Sequence, residues 1–174
     1  MQQILLGDTA VLSSPAAPAP RTGAVASGEA PQIDIRTVSL DQARALAKFP
    51  IRTPTYRPSP TLTLARVDVV LAGMGGAREV VAVISKYDDS NGLWLVLRQS
   101  KIVGAGRLNV AGEITPGSVG DRPAAFLTFA VPTAAPPGQR TITRCYWEHN
   151  GMLMDLQAPE LSAEILARVG ASLA

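Results

Sequence analysis

Apolar residues recur along the chain with two different periods, and the change between them divides it. In SLDQARALAKFP (39–50), Leu40, Ala43, Leu46 and Ala47 fall on one helical face. Ser39 is placed as N-cap, and Gln42 three residues later completes a capping-box spelling. Pro50 ends that helix. The next stretch, PIRTPTYRPSP (50–60), is broken by repeated proline and predicts an extended crossing segment.

From residue 61 the period becomes two. TLTLARVDVVLA (61–72) alternates Leu62, Leu64, Val67 and Val69 with polar residues, apart from a slip of parity at Ala65 and Arg66 that marks a bulge. REVVAVISKY (78–87) and LWLVLRQSKIV (93–103) follow as β-branched runs. GMGG (73–76) joins the first two strands, and DDSNG (88–92) joins the second and third as an antiparallel hairpin. The glycine-rich residues 104–122 predict a long loop with at most one short strand. Its GxG spelling is not a phosphate loop, because no helix pattern follows it. AAFLTFAV (124–131) reads as a strand and PTAAPPG (132–138) as a second proline-rich loop.

The last hairpin is the most specific. Asn150-Gly151 is the preferred pair for a two-residue type I′ turn, whose central residues both have positive φ. That sets a register in which His149 faces Met152, Trp147 faces Met154 and Cys145 faces Leu156. Cys145, Trp147, Met152, Met154 and Leu156 then share a core face, while Arg144, Tyr146, Glu148, Asp155 and Gln157 share the other. Beyond it, Ser162 as N-cap and Leu161, Ile165, Leu166, Val169 and Leu173 at helical spacing predict a C-terminal helix. The fold class expected is α+β: a single curved antiparallel sheet with a short N-terminal helix and a C-terminal helix packed on one face.

Residues 13–32 are dense in Pro, Ala, Gly and Ser, a composition that cannot offset the entropy of ordering by burial. The organisation expected is an arm and linker over residues 1–32 and one domain over residues 33–174. Ile4, Leu5, Leu6, Val11 and Leu12 give the arm enough apolar character to dock on a partner, although chain termini often fray. At 174 residues the chain can bury one core and is short for two.

Charge and chemistry narrow the function. A formal charge of +2, with no basic run, argues against a nucleic-acid partner. The first twenty residues spell neither a signal peptide nor a membrane span. The single cysteine and single histidine lie four residues apart on one strand face. At ~3.3 Å per residue that is roughly 13 Å between backbones, against the ~3 Å a thiolate–imidazole pair needs. Cys145 reads as a small buried hydrophobe and His149 as a residue at the wet rim of the turn. Asp88 and Asp89 sit where turn chemistry calls for them. No catalytic residue, metal site or cofactor is expected. Arg144, Tyr146 and Asp155, on the polar face, are candidate partner contacts, together with the apolar residues of the arm.

LDQARALAKFPIRTPTY (40–56), GLWLVLRQS (92–100) after Tyr87, and YWEHNGMLMDLQAPELSAEILARVGASL (146–173) carry a family resemblance. The chain resembles the bacterial domain of unknown function four-three-six-seven, found at the extracytoplasmic end of membrane-anchored regulators, including anti-sigma factors, and of lipoproteins. Relatives of that kind carry a membrane helix or lipobox before the domain, and residues 1–32 have neither. The resemblance implies an envelope-associated setting and no catalytic residues. Two readings follow from it and from the residues: a non-enzymatic binding or sensor domain that contacts a protein or envelope ligand, or an accessory structural subunit of a larger, membrane-associated assembly docked through its arm. A third, an enzyme or a small-lipid carrier with a cavity between sheet and helices, would use Trp147, Met152 and Met154 as pocket lining.

Overall fold

The computed structural model describes residues 2–5, 32–74, 77–102, 107–110, 114–130 and 141–174, and the side chains of all of these except 2–5, 74 and 107–110. In chain order the elements are β1 (Gln2–Leu5), β2 (Gln32–Val38), α1 (Leu40–Leu46), β3 (Thr63–Met74), β4 (Ala77–Asp88), β5 (Trp94–Lys101), β6 (Arg107–Val110), β7 (Ile114–Val119), β8 (Arg122–Ala130), β9 (Thr141–His149), β10 (Met152–Pro159) and α2 (Ala163–Ala171). Eight strands form one antiparallel sheet in the order β2-β3-β4-β5-β10-β9-β8-β7, and β1 pairs with β6 in a separate two-stranded sheet. The large sheet is open, with β2 and β7 as its outer strands among the described residues.

Local chemistry sets the corners. Asn150 and Gly151 have φ of +52° and +73°, the double positive φ of a type I′ turn. The pairing they impose runs from Met152 opposite His149 to Pro159 opposite Ile142. Between β4 and β5, Asp89 Oδ1 accepts from the backbone N–H of Asn91 at 2.8 Å and of Leu93 at 2.9 Å, so this carboxylate is spent on the turn. The register of β3 against β4 shifts between Leu64 and Arg66, where the parity slips, and again between Val70 and Leu71.

Cross-strand pairing carries one face through the whole sheet. Arg36, Val69, Val83, Gln99, Met154, Trp147, Ala124 and Gly117 form a continuous row from one outer strand to the other. Two helices and the crossing segment lie on this face. Leu166 and Val169 of α2 pack with Trp147, Cys145, Leu156 and Leu97, and Ala43 of α1 packs with Val67, Val69 and Val83. Ser39 and Gln42 close a reciprocal capping box on α1. The crossing segment is pinned twice. Buried Gln99 accepts from the Arg52 N–H and donates to the Arg52 carbonyl, both at 2.9 Å, and Thr53 exchanges two backbone hydrogen bonds with Ala174 at 3.1 Å.

Two strands depart from the sequence reading. β2 starts at Gln32, a stretch with no element assigned beforehand. Residues 104–122, read as a long loop with room for one short strand, contain two, β6 and β7. Proline is tolerated in β7 because the strand is outermost and needs no N–H for a further neighbour. Gly117 fits there because a Cβ would come within 2.7 Å of the Phe126 ring.

Candidate functional site

Cys145 lies in the middle of β9 with no exposed surface, between Phe126 on β8 and Leu156 on β10. Burial, and secondarily the charge of Asp155, pushes its thiol well above the ordinary range, which opposes thiolate chemistry. His149 ends the same strand, beside the turn. Burial lowers its pKa, and Arg52 and Arg122 lower it further. Among the described residues no three His, Cys, Asp or Glu side chains are grouped to hold a metal ion.

His149 lines a cavity together with Met152 and Met154, two of the three residues named as pocket lining. The crossing segment roofs the end of the β9–β10 hairpin there, so that Phe49, Pro50 and Arg52 meet Gln99, His149, Met152 and Met154 around about 130 Å³. Sites that bury a drug-sized ligand hold roughly 300–1,000 Å³, so this volume is small even for a single acyl chain. Trp147 is 1% exposed and packs with the core instead. This cavity by itself does not support the lipid-carrier reading.

On the opposite sheet face the three polar candidates are engaged with one another. Arg144 Nε donates to Asp155 Oδ1 at 2.7 Å and Nη2 donates to Oδ2, a two-pronged pair of the geometry that guanidinium and carboxylate favour. The Arg144 guanidinium also stacks 4.8 Å from the centre of the Tyr146 ring. Tyr146 and Asp155 are 3% and 6% exposed, and Tyr146 packs with Leu127, Ile114 and Leu153. Of the three, only half-buried Arg144 reaches the surface. In the arm, Ile4 and Leu5 belong to β1 and pair with Leu108 and Arg107 of the same chain. Leu6, Val11 and Leu12 lie outside the described residues.

Among the described residues the most exposed large apolar side chains are elsewhere, on β2. Ile33 and Ile35 are 69% and 59% exposed and project from the face opposite the helices. Between them, on the other face, Asp34 accepts from Arg36 at 2.8 Å and from Arg78 at 3.2 Å. β3 pairs with β2 on one side, and among the described residues nothing pairs with it on the other. The signal for this site was present as the alternation QIDIRTV. What the residues alone do not reveal is that this strand ends the sheet.

Among the described residues no helix is long and apolar enough to cross a membrane. A scan against family models gives no match, and searches of curated proteins and of solved structures give none.

Proposed function

We propose that this chain is a non-enzymatic binding domain of a bacterial envelope-associated regulator, and that it contacts a protein by adding a strand to the β2 edge of its sheet. One observation carries the reading: an outermost strand of seven residues that turns two isoleucines to solvent. Edge strands that are not meant to pair are usually blunted by proline, a bulge or repelling charge; β2 has no proline and no register shift against β3, and its two charges, Asp34 and Arg36, are of opposite sign. Main-chain hydrogen bonds would supply affinity and the exposed isoleucines specificity, as in other strand-addition complexes. The resemblance over residues 40–56, 92–100 and 146–173 supports the envelope setting. The alternative of docking through the arm has less support, because Gln2–Leu5 pair within the chain.

A photo-cross-linking residue at position 35, compared with one at exposed Glu164 on α2, tests this in producing cells. Protein adducts are expected at position 35 and not at 164, and they should survive the double substitution Cys145→Ala with His149→Gln. Equal adduct yields at both positions, or none at 35, would sink the reading.

A further inference from the structure

Resting on that reading, we propose that the protein added to β2 is a second copy of this chain, the two β2 strands pairing antiparallel about a two-fold axis through Ile35. The strand spells Gln32-Ile33-Asp34-Ile35-Arg36-Thr37-Val38, and its charges are antisymmetric about the central isoleucine. A two-fold pairing there sets Asp34 opposite the partner's Arg36 and Arg36 opposite the partner's Asp34. Ile35 meets the partner's Ile35, and Ile33 meets the partner's Thr37. Directly opposed residues in an antiparallel pair share a face, so both ion pairs form on the helix-bearing side and the isoleucines meet on the other.

The same charges reject the neighbouring registers. Sliding by two residues in either direction places Asp34 on the partner's Asp34, or Arg36 on the partner's Arg36. Parallel pairing in register stacks both like-charged rows. Charge on an edge strand ordinarily blocks self-pairing, but here it opposes the two adjacent registers and the in-register parallel pairing while favouring the central antiparallel one. Arg36 has the room to engage, with 58% of its side chain exposed, while Asp34 already gathers Arg36 and Arg78. Closing the pair would bring two aspartates and their arginines into one network and join two eight-stranded sheets into one continuous sheet. The opposite outer strand, β7, carries Pro116, which lacks the N–H a further strand would need.

Sedimentation velocity on the full chain, from micromolar to near-millimolar concentration, tests this with two charge variants and their mixture. The wild-type chain is expected to dimerise reversibly. Asp34→Arg and Arg36→Asp should each weaken dimerisation about tenfold or more, since each converts two attractive cross-strand pairs into two repulsive ones. An equimolar mixture of the two should restore a dimer, because each variant then meets its opposite charge. Ile35→Lys, at an exposed position that should not disturb folding, should also give monomers. Thermal melts confirm that every variant is folded. A wild-type chain that stays monomeric throughout, or folded variants that stay monomeric when mixed, would overturn self-pairing. If the wild type is monomeric while position 35 cross-links to a different protein, only the identity of the partner falls. No adduct of any kind at position 35 removes the edge-binding reading as well.

Discussion

Asp155 has 8% of its side chain exposed, and its ion-pair partner Arg144 has 32%. That asymmetry decides what breaking the pair does. Asp155→Ala leaves a guanidinium that can turn toward water, so the loss falls below the 3–5 kcal/mol of a fully buried pair, at about 2 kcal/mol. For a chain of this size that lowers the melting temperature by roughly 4–8 °C. Replacing both residues with apolar ones, Arg144→Met with Asp155→Leu, should cost less than Asp155→Ala alone, and chemical denaturation of the three proteins ranks them. Tyr87 presents the reverse case. Its ring is buried against Leu62, Leu95 and Leu97, and its hydroxyl is buried with no hydrogen-bond partner among the described residues. Removing an unpaired buried hydroxyl forfeits no hydrogen bond. Tyr87→Phe is therefore expected to leave stability unchanged or raise it by up to about 1 kcal/mol, read from the denaturation midpoint. A loss of similar size would mean that the hydroxyl has a partner.

Helix α2 carries a glycine in its last turns, where alanine would ordinarily stabilise by about 1 kcal/mol. Gly170 is buried, and a Cβ there would lie 2.9 Å from a Val119 methyl and 3.1 Å from the Trp147 ring. Gly170→Ala should therefore reverse the usual sign and destabilise by about 1–3 kcal/mol, and Val119→Ala in the same chain should recover part of the loss. The helix itself was legible from Ser162 and the apolar spacing, as was the hairpin register from Asn150-Gly151, because both are written in neighbouring residues. The bulge at Ala65 was legible for the same reason. β7 was not: proline and glycine lower strand propensity, and only contact with Phe126 across the sheet shows why glycine belongs there. The grip of Gln99 on Arg52 joins residues 47 positions apart, and nothing local announces it. For the candidate site, the division of hairpin residues between two faces could be read, but the burial of Tyr146 and Asp155 on the outer one could not. The β2 edge was not legible in the sequence, because being outermost is a property of strand order.

At the scale of the molecule, buried acids set an alkaline limit to stability. Burial, the largest cause for each, pushes Tyr87 and Tyr146 from 10.0 up to about 12, and the Cys145 thiol rises from its ordinary 9.0. In the unfolded chain these groups release their protons near pH 9 to 10, while the folded chain keeps them. Above about pH 9 the unfolded state therefore holds fewer protons, and unfolding free energy falls as pH rises. The stabilisation is whole below the unfolded values and is lost as pH climbs through the folded ones, at about 3 kcal/mol for each tyrosine. The acid side runs the other way and through different residues. The hydrogen bond and charge of Arg36, helped by Arg78, hold Asp34 below the usual carboxylate range, and burial lowers His149. Their contributions are present above the unfolded values and lost as pH falls, first through the histidine and then through the aspartate. Denaturation midpoints measured from acid to pH 12 should thus trace a dome. Tyr87→Phe with Tyr146→Phe should flatten its alkaline limb and leave the acid limb in place. An alkaline limb equally steep in that double variant would show that other groups, or deprotonation of the surface, govern the loss.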